Sequence, residues 1–251
     1  MLCSDVFWRL RLVCRRTTGS LSAAPRIRQA YVEEQLGRCL MPKGRRILDA
    51  GCGDGAYALR FASIFPTSRI TGVDIDVARI ATGARSKAVL GTQNVEFTVM
   101  SLSRLAVGDP YDIAYCIDVL EHVPDDLAAL RSLRGVLRTS GVLILHVPLL
   151  GQRHFFSWMV GHRQGDHVRD GYTKAGIEKL LSSAGFLVLD TRFTFGFFGA
   201  LAADLDETCR RIRGGLRFLV LPLLAALVTI ELSIANKKGG NGLLVLAKAV
   251  N

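Results

Sequence analysis

The chain has 251 residues, enough for one α/β domain with additions and a full core. Its net charge of +10 is concentrated at the start, where Met1 to Arg46 sets ten Lys/Arg against Asp5, Glu33 and Glu34. That suits an anionic membrane surface better than nucleic acid, because no zinc knuckle, RNA-binding aromatic motif or basic low-complexity tail accompanies it. Six cysteines (Cys3, Cys14, Cys39, Cys52, Cys116, Cys209) form no C-x-x-C pair, which excludes a disulfide scaffold and points to a reducing, cytoplasmic compartment. Cys and His show no metal-ligand spacing, so no metal is expected.

Residues 1–24 read as a basic amphipathic segment, with Val6, Leu10 and Val13 at helical spacing and Arg9 and Arg16 on another face. An interfacial membrane helix, an organelle transit peptide and a cap over the domain all fit it. The domain proper, 25–251, opens with a helix over Arg26–Leu40 and the turn Pro42-Lys43-Gly44. Then comes Ile47-Leu48-Asp49-Ala50-Gly51-Cys52-Gly53-Asp54-Gly55, a buried strand running into a glycine turn and a helix from about Ala56 to Phe65. Gly51, Gly53 and Gly55 permit positive φ and leave no Cβ in a ligand's path. The helix N-terminus behind them offers unpaired N–H groups, and Asp49 can accept from a ligand amine or from the turn. A second strand, Arg69 to Asp76, ends in acid, which in doubly wound folds faces ribose hydroxyls. The spacing here is G-x-G-x-G, whereas the nicotinamide fingerprint is G-x-G-x-x-G.

D-A-G-C-G-D-G followed by G-V-D-I-D resembles the first two motifs of the class I S-adenosylmethionine-dependent methyltransferases, and the resemblance runs from about Arg45 to Phe186. It implies S-adenosylmethionine as cofactor and an α/β, Rossmann-like doubly wound sheet of about seven strands. It assigns cofactor contacts to Asp49, Gly51, Cys52, Gly53 and Gly55 in the first motif and to Asp74 and Ile75 in the second. In such relatives the helix ahead of the first strand closes over the cofactor, which would let Tyr31 reach the site.

Further along, Val77–Leu90 reads as a helix and Asn94–Met100 as a third strand. Where the family usually carries an acid for the adenine amine, this chain has Ser101-Leu102, a departure that leaves both as candidate adenine contacts. Pro110 to Asp118 is a fourth, doubly buried strand. The D-V-L-E-H-V that ends it resembles a small-molecule group that includes the ubiquinone-biosynthesis O-methyltransferases. By that resemblance Asp118 and His122 stand near the methyl donor's amino-acid end; the plainer alternative is that His122 caps the next helix, Leu127 to Arg138. A fifth strand, Val142 to Val147, brings His146 towards the crevice, and an insert, 148–172, carries His167 on the substrate side. Thr173 is the expected N-cap of a helix over Lys174–Ala184, and Gly185-Phe186 opens the sixth strand.

The block after Ala203 is unlike a minimal enzyme. Arg210, Arg211, Arg213 and Arg217 precede an uncharged run from Phe218 to Ile230, then Glu231, then Lys237-Lys238. The run is short for a membrane span, so 204–236 reads as a hydrophobic helical C-terminal addition that packs on the sheet or dips into one leaflet. A last strand, Asn241 to Ala247, closes the chain, in the family as part of an antiparallel hairpin. The sulfonium already activates the methyl group, so the protein must align donor and acceptor and, for a hydroxyl acceptor, supply a base. His122 and His167 are the catalytic candidates. The expectation is a methyltransferase acting at oxygen on a small, lipophilic or lipid-linked acceptor, with peripheral membrane contact. A cofactor-binding pseudoenzyme of the same fold is the alternative, motivated by Ser101. Oligomeric state is not legible.

Overall fold

The computed structural model describes residues 13, 20, 22–39, 44–105, 108–156, 167–211, 216–234 and 238–250. Most of segment 1–24 lies outside these residues, although helix α1 (Ala23–Cys39) already starts within it. The elements then run β1 (Arg46–Ala50), α2 (Ala56–Ile64), β2 (Arg69–Asp74), α3 (Val77–Leu90), β3 (Val95–Val99) and β4 (Tyr111–Ile117). They continue with α4 (Asp126–Val136), β5 (Leu137–Pro148), α5 (Lys174–Ser183), β6 (Phe186–Thr194), α6 (Phe197–Arg211), α7 (Leu216–Ser233) and β7 (Gly242–Ala249). One sheet holds all seven strands in the order β3-β2-β1-β4-β5-β7-β6. β7 slots antiparallel between β5 and β6, while the other pairs are parallel.

Adjacent residues of β1 show why the sheet is doubly covered: Ile47 packs into one core layer and Leu48 into the other. Helix boundaries follow their caps. Asp76 accepts from the Ala78 and Arg79 N–H groups to start α3, and Gly91 ends it at φ +63°. Thr173 accepts from Gly176 to start α5, as expected. The start of α4 is capped by Asp125, not by His122. β5 begins at Leu137, ahead of the expected Val142, because Tyr111 pairs with Leu137 before the register slips and Ile113 meets Val142.

Two helices fill the addition. Leu224, Leu227 and Val228 of α7 join the core layer of Ile27, Val32 and Leu36 from α1. Glu231, the single acid in α7, is fully buried and accepts from the N–H groups of Gly196 (2.9 Å) and Gly199 (3.0 Å), so it caps the start of α6. The inner face of α7 therefore packs on the domain, and among the described residues no helix is long and apolar enough to cross a membrane. Tyr31, buried on α1, gives its hydroxyl to Glu231 at 3.4 Å. It serves this addition, not the crevice the sequence suggested.

Candidate active site

All three glycines of the turn have positive φ, at +81° (Gly51), +55° (Gly53) and +74° (Gly55), but for different reasons. A Cβ on Gly51 would lie 2.4 Å from the Val119 side chain, and one on Gly55 2.3 Å from the Phe97 ring. The same ring fills the space of the absent Cβ of Gly72 (2.8 Å), so these glycines make room for protein. Only Gly53 opens outward, where a Cβ would meet nothing nearer than Arg79 at 3.5 Å. The turn also donates inward more than expected. Gly51 and Cys52 N–H both reach the Val73 carbonyl, Gly53 N–H reaches Asp74 Oδ2 at 2.7 Å, and Gly55 N–H reaches the Cys52 carbonyl. Ala56 N–H goes to Asp54, so the first donor of the helix is spent within the turn. A nucleoside without phosphates does not require a row of unpaired donors.

Asp74, at the end of β2, binds Gly53 N–H through one oxygen and Asp76 N–H through the other. Each oxygen keeps a second lone pair for a ribose hydroxyl. Beside it Ile75 is 73% exposed, an apolar surface at the crevice edge. Ser101 spends its hydroxyl locally, accepting from Ser103 N–H to start a short 3-10 turn, and the Leu102 side chain is buried below. Leu102 can thus offer a ligand only its main chain. Asp49 is buried opposite Tyr115 on β4, with Oδ2 lacking any partner, and burial pushes its carboxyl up to about 8. The open side of Gly53, the spare acceptors of Asp74 and the orphaned Asp49 oxygen together fit a nucleoside that carries an amino-acid end.

Asp118 follows β4 in the left-handed region, at φ +50°, a strained setting for a non-glycine residue that recurs at functional sites. It forms an ion pair with Arg28 of α1, and its other oxygen meets His146 Nδ1 at 2.5 Å. Burial alone would raise this carboxyl; Arg28 and His146 overcome it and hold it at about 2. Nε2 of His146 is taken by Thr194 Oγ1 at 2.8 Å, so both ring nitrogens are engaged and the residue is buried. His146 is a strut between β4, β5 and β6, and does not face open space. Phe195 packs against the His146 ring and lies under the Arg28 guanidinium.

The next turn carries the catalytic candidates. His122 is exposed, and its ring meets the His167 ring edge-on, centroids 4.4 Å apart. Burial and the neighbouring His122 lower the His167 pKa, favouring the neutral imidazole. Glu121 is buried with Oε2 unpartnered, and burial, then Asp118, push its carboxyl up to about 8. Ligand atoms of Glu121, His122 and His167 lie within 4.8 Å of one another, a set able to hold a divalent cation, though sequence spacing gave no sign of it. Arg169 fixes this geometry by donating to the carbonyls of Leu120, Val123 and Pro124, while Val168 N–H binds the Glu121 carbonyl at 2.9 Å. Arg28, Arg169 and Thr194 were missed in the sequence; each acts across a long separation, and nothing local marks it.

A glycine turn beside an acid that ends the second strand, on a Rossmann-like sheet with an antiparallel seventh strand, gives the fold of the class I methyltransferases. Residues 25–191 match the methyltransferase domain family, and the chain belongs to it. S-adenosylmethionine is its cofactor. A relative, the ubiquinone biosynthesis O-methyltransferase of Xanthomonas campestris pv. campestris, is 32% identical over 127 residues, 50% of either chain. The chain thus spans about half the length of the curated relatives it matches first. Among solved structures, a putative sarcosine dimethylglycine methyltransferase from Galdieria sulphuraria superposes with TM-score 0.66 at 15% identity, covering 96% of this chain and 98% of that one. Coclaurine N-methyltransferase, bound to N-methylheliamine and SAH, gives 0.61 at 18%, covering 88% and 72%. At such identities the structural likeness speaks for the fold.

Proposed function

We propose that the chain methylates a hydroxyl on a small, lipophilic or lipid-linked acceptor, working at a membrane face. The observation that carries this reading is the His122–His167 pair at the end of β4, with His167 biased towards its neutral form. A neutral imidazole can accept a proton, which a hydroxyl acceptor must lose and an amine acceptor can shed unaided. The relatives named ubiquinone biosynthesis O-methyltransferase favour oxygen as well. When bound, S-adenosylmethionine supplies a methyl group already activated by its sulfonium. Gly53 would leave room for the cofactor, Asp74 would accept from its ribose, Ile75 would lie along its adenine and Asp118 would orient its amino-acid end. His167, or His122 through it, would take the proton that the acceptor hydroxyl gives up. The turn that Arg169 holds through the Leu120, Val123 and Pro124 carbonyls would help keep water from the reacting atoms.

The test is transfer of labelled methyl from S-adenosylmethionine to lipid extracts and to aqueous metabolites in parallel. The expected product is organic-soluble and keeps its label through mild alkaline hydrolysis, as an ether does. Label confined to water-soluble amines would overturn both the oxygen and the lipophilic acceptor. With the acceptor in hand, His167→Asn should lower kcat far more than it raises KM. Because burial and then His122 lower the His167 pKa, the wild-type rate should hold to a lower pH than an ordinary histidine base would allow.

A further inference from the structure

The outer face of α7 has no protein partner among the described residues. Leu219 is 78% exposed, Leu223 51% and Ile230 42%, with the exposed Ala226 between them. Steps of four, three and four residues put all four on one side of the helix. A surface helix normally turns polar groups outward. Here the apolar groups point both ways: Leu224, Leu227 and Val228 inward to the core, the stripe outward. At the end of the stripe, the turn that Glu231 caps adds the exposed Phe197, packed edge-on against the exposed Phe155.

We infer that this face docks the protein on an anionic lipid surface, with α7 lying in the interface and not crossing it. Charge selects this occupant. Glu231 is the single acid of α7 and is turned fully inward, so the outer face carries no negative group. The sequence supplies Arg211 and Arg213 ahead of α7, Arg217 in its first turn and Lys237 and Lys238 after it, whereas Arg210 is already ion-paired with Glu207 and Asp206. An apolar stripe with basic ends is the pattern of interfacial helices on anionic membranes. A second copy fits less well, since a stable interface takes about 800 Å² from each partner and three part-exposed aliphatic side chains offer less. Place adds to the argument. β5 and β6 are both antiparallel to β7, so β6 runs with the parallel strands and delivers α6 and α7 at the carboxyl edge where the crevice lies. An acceptor dissolved in that lipid would then enter without crossing water. This last step rests on the proposed acceptor; the docking itself does not.

Co-sedimentation of the full chain with vesicles of phosphatidylcholine alone, and with about one-third phosphatidylglycerol, tests it across a salt series. The expected result is pelleting on the anionic vesicles that weakens as salt rises. The triple variant Leu219→Ser, Leu223→Ser, Ile230→Ser should lower vesicle affinity by about tenfold or more, while its S-adenosylhomocysteine affinity matches wild type and shows the fold intact. Wild-type protein that stays in the supernatant, or a triple variant that binds as wild type does, overturns the inference; the latter would assign the contact to residues 1–24. Concentration-dependent dimerisation abolished by the triple variant would also overturn it, because a second copy would then cover the face. Failure of wild type to bind S-adenosylhomocysteine would sink the functional reading while leaving the vesicle result to stand or fall alone.

Discussion

The glycine turn and the α6–α7 addition solve the same problem, placing buried polar groups, by opposite means. In the turn the partners are main-chain groups and near neighbours. Gly53 N–H finds Asp74, Cys52 N–H finds the Val73 carbonyl, and the conformation follows from which residues lack a Cβ. In the addition the partners are side chains far apart in sequence. Tyr31 meets Glu231, and Ala23 N–H meets Asp206 Oδ2 at 3.1 Å. A backbone solution leaves its mark in a few consecutive letters. A solution assembled from distant side chains leaves almost none, and can be broken at one residue without touching the cofactor.

The sharpest way to break the comparison is to place a Cβ on two glycines of one turn. Gly55→Val would drive its Cβ into the Phe97 ring, which also packs against Gly72 and Gly83. Overpacking plus positive-φ strain should cost about 3 kcal/mol or more, read as a lowered urea midpoint. Gly53→Val meets only the strain, so it should stay folded and lose S-adenosylhomocysteine binding, because the new side chain fills the open side. Equal loss of stability in both variants would erase the distinction between packing glycine and ligand glycine.

In the addition, Glu231→Ala leaves the N–H groups of Gly196 and Gly199 and the Tyr31 hydroxyl without their acceptor. Stability should fall by roughly 2–3 kcal/mol, the cost of stranding buried donors. Cofactor affinity should be nearly unchanged, measured calorimetrically with S-adenosylhomocysteine. Asp74→Ala should do the reverse, weakening cofactor binding by roughly 1.5–3 kcal/mol. A donor analogue without ribose hydroxyls ought to bind wild type and this variant almost alike. An Asp74→Ala variant that still discriminates the analogue as strongly as wild type does would remove Asp74 as the ribose anchor.

What could be read in advance divides along the same line. The sheet, the G-x-G-x-G turn and the span of α3 were legible because strands buried on both faces and capped helices are local patterns. The antiparallel seventh strand came only through family resemblance, since periodicity says nothing of strand order. His122 and His167 were singled out one by one; that their rings meet depends on Arg169, whose role no spacing reveals. A strand end suggests an open position for His146, but Asp118 and Thr194 occupy both its nitrogens and turn it into a buried strut. Glu231 looked like an interruption of an apolar run and is its anchor.

The smallest expected effect tests whether Asp49 belongs to the backbone solution at all. It sits in β1 beneath the turn, buried, with one oxygen unpartnered, and burial lifts its carboxyl to about 8 against an ordinary value near 4. The native chain should therefore hold a proton there that the unfolded chain releases above about pH 4. Its contribution to stability is full below that pH and is lost as pH rises towards 8. Asp49→Asn cannot titrate, so urea unfolding should show the variant gaining on wild type between pH 5 and pH 8. The gain should be at least about 1.4 kcal/mol, the worth of a tenfold change in proton affinity. Glu121, raised to a similar value, titrates in both proteins and cancels in the comparison. Saturating S-adenosylhomocysteine should narrow the difference, because an ammonium reaching the free oxygen would favour the ionised carboxyl and release the proton. A stability difference that does not change with pH would mean that Asp49 is already ionised, held by partners within the turn and not waiting for a ligand.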